Sequence, residues 1–179
     1  MKTLLNLSVA ALILAGGVYL YADDDHEEGE HHRSSVVAKP LSKQDQVSAA
    51  LYKKECSSCH MAYQPSLLPK RSWDKTMNTL DNHFGTDATL DPSDHKTIQN
   101  YLASYASKND RLVDMKGAVA LRISETPYFV RKHREVTKKM VTQPQVKSFA
   151  NCNACHTKAE SGSYREREIS IPNYGRWED

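Results

Sequence analysis

Aromatic side chains are scarce: three Phe, two Trp and nine Tyr make 8% of the 179 residues. A conventional core built from that inventory is modest, and a large apolar guest in the middle would complete it. Cysteine is scarcer still, at four, which limits disulfide chemistry to two bridges at most. With 39% hydrophobic and 26% charged residues, the composition excludes a chain disordered throughout and suits one ordinary domain or two very small ones.

The opening MKTLLNLSVAALILAGGVYLYA sets Lys2 before an apolar run that ends near Ala22, the layout of a Sec-type export signal. Residues 1–22 are therefore expected to direct export. Leu20 suits a cleavage site after Ala22 less well than a small residue, and the run is long enough to be retained as an anchor. DDDHEEGEHHR follows, an acidic, His-rich leader that continues through a polar linker to Pro40. His26, His31 and His32 could scavenge a metal ion, but without fixed spacing the segment reads as a solvated tail. The whole chain has 24 Lys+Arg and 22 Asp+Glu, of which 2 and 6 fall in the first 33 residues, so the remainder is basic by 22 against 16. For an exported protein that excess suits an acidic cofactor group or acidic partner better than nucleic acid.

All four cysteines fall in two copies of one word, CSSCH at 56–60 and CNACH at 152–156. Disulfides suit an exported chain and a four-thiolate zinc site an intracellular one, yet both leave His60 and His156 unexplained. With 8 His in the chain, a histidine follows both pairs by chance with a probability on the order of 0.002, whereas C-x-x-C-H is the attachment word of c-type haem. Two thiols three positions apart share one face of a helical turn and can add to the two vinyl groups of one porphyrin. The next residue aims its imidazole at the iron. Cys56 and Cys59 are read as thioether anchors of haem 1, with His60 as its proximal ligand. Cys152 and Cys155 anchor haem 2, with His156 as proximal ligand, giving two covalently bound haem c groups.

The sixth iron position decides the chemistry, since a second His or Met closes the site and an empty side admits small ligands. The candidates are His83, His95 and His133, with Met61, Met77, Met115 and Met140 as sulfur alternatives. Ser42-Lys43-Gln44-Asp45 resembles a capping box, and a stripe of Val47, Ala50 and Leu51 leads a helix into Cys56. Ser72-Trp73-Asp74 opens a second helix with Trp73, Met77, Leu80 and Phe84 on one face, ending at Gly85, and His83 lies near that face. Asp91-Pro92 opens a third, carrying Ile98, Tyr101, Leu102 and Tyr105. His95 in its first turn reads as solvated, Met77 as core, and Met61 follows the proximal histidine too closely to reach the opposite face. Thr126-Pro127 caps a short helix in which Phe129 and His133 share a face, and Pro144 is expected to open another, with Val146, Phe149 and Ala150 leading into Cys152. His83 and His133 are thus the best-placed imidazoles. The cations Arg131, Lys132, Arg134, Lys138 and Lys139 form a solvated face or offset haem propionates.

HMAYQPSLLPKRSWDKTMNTLDNHFGTDATLD, RISETPYFVRKHREV, and CNACH with a later EISIPNYG together resemble the small bacterial dihaem cytochrome c family, over roughly residues 42 to 175. The resemblance implies a mostly α fold with little sheet: a class I cytochrome c-like haem 1 domain at 41–108 and a smaller helical haem 2 domain at 109–179. It implies a periplasmic electron carrier with His60 and His83 on the first iron and His156 and His133 on the second. A crossed pairing of the distal histidines is the alternative arrangement. The implied partners are an oxygen-binding monohaem cytochrome c and a membrane cytochrome b or quinol-linked donor. Two imidazoles per iron imply low potentials relative to His/Met ligation, and the carbonyl of Pro65 or Pro69 is expected to orient the first proximal imidazole. The enzymatic alternative is a peroxidase-like dihaem oxidoreductase with one open haem.

Overall fold

Ser42 starts the first helix as its side chain leads one to expect. Its backbone is extended and its Oγ accepts from the Asp45 N–H at 3.1 Å, satisfying one of the unpaired donors at the head of α1 (Lys43–Cys56). The buried line of α1, however, runs through Ser48 and Tyr52, while Val47 is 63% exposed. The expected Val47–Ala50–Leu51 stripe is thus turned by one residue. Two polar groups make this possible by finding partners: Ser48 Oγ donates to Gln44 O at 3.1 Å and Tyr52 Oη to Tyr63 O at 2.8 Å.

The computed structural model describes residues 41–109 and 112–177. The expected export signal at 1–22 and leader at 23–40, with His26, His31 and His32, lie outside the described residues. Among those described, no helix is long and apolar enough to cross a membrane.

Helix α2 (Lys70–Met77) begins two residues ahead of Ser72, behind an extended Pro69, and stops at Met77. Trp73 and Met77 are buried as expected, but Leu80–Asn82 winds as a 3₁₀ turn, so Phe84 leaves the helical face and is 47% exposed. Helix α3 (Pro92–Tyr105) has Asp91 as N-cap, Pro at the first position, and Ile98 and Leu102 fully buried. Both α1 and α2 pack on α3. His95 is not solvated: its Nε2 donates to Met77 O at 2.9 Å, occupying a carbonyl at the end of α2 that the helix itself cannot satisfy.

In the second half, α4 (Pro127–Lys132) is capped by Thr126, whose Oγ1 accepts from Phe129 N and donates to Ile123 O. A helix that sequence reasoning treated only as a basic run, α5 (Lys138–Thr142), is capped by Thr137. Pro144 opens no helix. Val146 and Lys147 both turn back to Gln143 O, and Lys147 has φ +68°, which ends any helical run. Strands β1 (Ser170–Ile171) and β2 (Gly175–Arg176) pair antiparallel. The expectation of a mostly helical chain with little sheet is met. The principal core joins Tyr52, Leu68, Trp73, Met77, Ile98, Leu102 and Ala120.

Candidate haem sites

Cys56 is the last residue of α1 and Cys59 lies in the turn beyond it, while Cys152 begins a 3₁₀ turn with Cys155 just after. None of the four is paired in a disulfide. Burial pushes the Cys56 thiol up to about 11 and raises Cys152 and Cys155 as well. Among the described residues no group of three or more His, Cys, Asp or Glu converges as a metal cluster, so the thiols are not gathered around one zinc.

The histidines do converge, in pairs. The ring centroids of His60 and His83 are 6.1 Å apart, with planes 28° from parallel, and those of His133 and His156 are 6.0 Å apart at 67°. Imidazole nitrogen binds a metal at about 2 Å, and the ring centre lies about 1 Å behind that nitrogen, so two imidazoles across one metal stand about 6 Å apart. Both pairs have the separation that one iron between them requires. The structure brings His60 to His83 and His156 to His133, not the crossed partners.

Hydrogen bonds orient two of these rings. A carbonyl can only accept, so His60 Nδ1 must donate to Met61 O at 2.8 Å and His133 Nδ1 to Phe129 O at 3.0 Å. Both rings keep Nε2 for a metal. The expected role of Pro65 and Pro69 in orienting His60 is overturned. Pro65 O accepts from Trp73 Nε1 at 2.7 Å, and Pro69 O accepts from the first turn of α2. Among the described residues, the buried His156 Nδ1 has no hydrogen-bond partner. Burial lowers the pKa of His83, aided by His60 and Arg122, and lowers that of His156, aided by His133. Burial also lowers His133, against the opposing hydrogen bond to Phe129. Neutral imidazole is the form that ligates a metal, so the spacing of both pairs and the lowered pKa values of His83, His133 and His156 suit an iron in each.

Packing completes the sites. Phe129 stacks on His133 at 3.8 Å, and Phe149 meets both rings edge-on. His83 sits on a tight turn closed by His83 N to Thr86 O at 2.8 Å, with Phe84 at φ +53° and Gly85 at φ +95°. Arg122 covers the Phe84 ring at 3.8 Å. Tyr63 stacks on His60 and Tyr164 meets His156 edge-on. Sequence reasoning missed both tyrosines. Of the remaining candidates, Met61 and Met77 are buried in packing, Met115 is 61% exposed, and His95 is engaged with α2.

Two CxxCH words, each with a second imidazole one iron's width from its own histidine, define a c-type cytochrome with two haems. The family model for dihaem cytochrome c matches residues 52–164, and the chain belongs to that family. Its fold is similar to a dihaem cytochrome c from Shewanella baltica OS155, with 39% identity, 73% of this chain and 98% of that one covered, and a TM-score of 0.64. It is also similar to the dihaem cytochrome c of Rhodobacter sphaeroides, at 44% identity, 64% and 95% coverage and a TM-score of 0.58. No curated protein matches the chain. The chain accordingly carries two covalently bound haem c groups.

Proposed function

We propose that the protein is a periplasmic electron carrier in which His60 and His83 ligate the iron held by Cys56 and Cys59, and His156 and His133 the iron held by Cys152 and Cys155. The matching separations of the two imidazole pairs carry this reading. The haems supply reversible one-electron redox chemistry, and the side chains decide which chemistry is allowed. His60 with His83 and His156 with His133 would each hold one iron between two imidazoles, which would leave no position for oxygen or peroxide, so the protein would pass electrons by outer-sphere transfer and not act as an enzyme. Imidazole on both sides favours ferric iron and low potentials. The exposed cations Arg131, Lys132, Lys138 and Lys139, which flank His133 along the chain, favour weak, salt-sensitive docking of an acidic redox partner. An oxygen-binding monohaem cytochrome c fits as acceptor, and a membrane cytochrome b or quinol-linked protein as donor. Residues 1–22 would deliver the chain to the periplasm and either be removed or hold it at the membrane.

A spectroelectrochemical titration with carbon monoxide tests the reading. Two low-spin transitions at negative potential without carbon monoxide binding are expected. A high-spin component or a carbon monoxide complex would point to the peroxidase-like alternative with one open haem.

A further inference from the structure

Each proximal imidazole has one tyrosine packed on it, and neither phenol bonds within its own site. The Tyr63 ring lies 4.9 Å from His60 and 17° from parallel, but its hydroxyl donates to Ala150 O at 2.7 Å. Ala150 lies two residues before Cys152, in the segment that delivers the other haem. The Tyr164 ring meets His156 at 5.3 Å and 67°, and its hydroxyl donates to Gln64 Oε1. Gln64 lies four residues beyond His60, beside Tyr63. The Gln64 amide has one orientation that satisfies both neighbours. Ala159 O can only accept, so Nε2 donates to it at 2.7 Å, which leaves Oε1 for the Tyr164 hydroxyl. Gly162, at φ +79°, takes the left-handed turn beside Gln64; a Cβ there would meet Gln64 Cγ at an ordinary 3.5 Å, so the backbone conformation, not space, calls for glycine.

Each connection therefore runs from the proximal ligand of one haem to the backbone or side chain that seats the other. We propose that Tyr63, Gln64 and Tyr164 are positioning residues that cross-couple the two haem sites. Each tyrosine ring sets the rotation of one proximal imidazole, while its hydroxyl is held by the other site's segment. The two bonds of Gln64 are half-buried, so a shift of one partner is passed on instead of being absorbed by water, while the shorter-reaching Tyr63–Ala150 bond lies at the exposed rim of the same seam. The inference rests on the ligation proposed above and goes beyond it, because two closed haems need not sense one another.

Tyr63→Phe and Tyr164→Phe, each in the holoprotein, keep the packed ring and delete the bridging oxygen. The readouts are the midpoint potential of each haem and the paramagnetically shifted haem methyl resonances of the ferric state. The expected result is crossed: Tyr63→Phe moves the resonances and potential of haem 2 more than those of haem 1, and Tyr164→Phe does the reverse. A merely structural role would lower stability without this exchange of sites. Shifts confined to the haem on which the altered ring packs, or no shift at either, overturn the proposal. Gln64→Ala, which leaves both rings in place, serves as the second variant: movement of both sets of resonances supports the coupling and unmoved resonances reject it. The wild-type optical spectrum with carbon monoxide separates the two readings. An open haem there sinks the ligation, whereas closed haems without crossed shifts sink only the coupling.

Discussion

His83 hangs from a turn, whereas His133 ends a helix, and the residues around each decide how firmly it is held. Phe84 adopts the left-handed region at φ +53°, a conformation that costs a non-glycine residue about 1–2 kcal/mol, and its packing against His83 and Arg122 offsets that cost. Substituting a distal histidine should open only its own iron. His83→Ala is expected to give a high-spin fraction and carbon monoxide binding at the haem tethered by Cys56 and Cys59, the other haem staying low-spin and closed, and His133→Ala the converse. Opening of the haem tethered by Cys152 and Cys155 in His83→Ala, or of the haem tethered by Cys56 and Cys59 in His133→Ala, would contradict the uncrossed pairing. Three tyrosines, one buried and two half-buried, set a pH limit. Burial pushes the Tyr63 hydroxyl up to about 12, and also raises Tyr52 and Tyr164, whereas an unfolded tyrosine titrates near 10. Between about pH 10 and 12 the unfolded chain gives up these protons while the folded chain keeps them, so their contribution is complete below pH 10 and drains away above it. Melting temperatures measured from pH 8 to 12 should fall beyond pH 10, and Tyr63→Phe should lessen the fall.

Elements were legible in the sequence wherever short-range chemistry decides. Ser42 and Thr126 cap their helices through side-chain oxygens, and Asp91-Pro92 heads another through the proline's fixed φ without a side-chain cap, because such signals need only the next three residues. Thr126 is buried and bonds both Ile123 O and Phe129 N. With only six residues, Pro127–Lys132 depends on that cap. Thr126→Ala should cost about 0.5–2 kcal/mol by chemical denaturation, and should broaden the spectrum of the haem next to His133 alone. Faces and ends were less legible. Val47 is apolar yet exposed, because Ser48 and Tyr52 satisfy their hydroxyls within the fold and take the buried positions. The Trp73 stripe does not continue to Phe84, because the chain leaves α2 at Met77. His95 could not be paired with Met77 O by spacing, since that bond joins two helices.

Across the whole molecule, the two haem words and the four histidines could be read from spacing and family resemblance, but the junction of Tyr63, Gln64 and Tyr164 could not. Its bonds span 87, 95 and 100 positions, and no local pattern announces contacts that only the tertiary fold creates. The apolar interior is also unevenly shared. The principal core draws on residues from Tyr52 to Ala120, while buried apolar side chains beyond it are few: Val141, Val146, Ala159 and Ile171. A Cys152→Ala/Cys155→Ala variant, unable to tether the second haem, should therefore become protease-labile beyond about residue 120. The segment around Trp73 and Leu102 should stay protected, and limited proteolysis with mass mapping checks both halves. The two imidazole pairs differ in one further respect, their 28° and 67° ring angles. Nearly aligned rings draw on the same iron d orbital and split it from its neighbour, whereas nearly crossed rings load the two orbitals alike. Frozen ferric protein should thus show a rhombic electron paramagnetic resonance signal from one iron and a strongly anisotropic one from the other, so that identical ligand sets give each iron its own magnetic label and an electron's residence can be followed without any mutation.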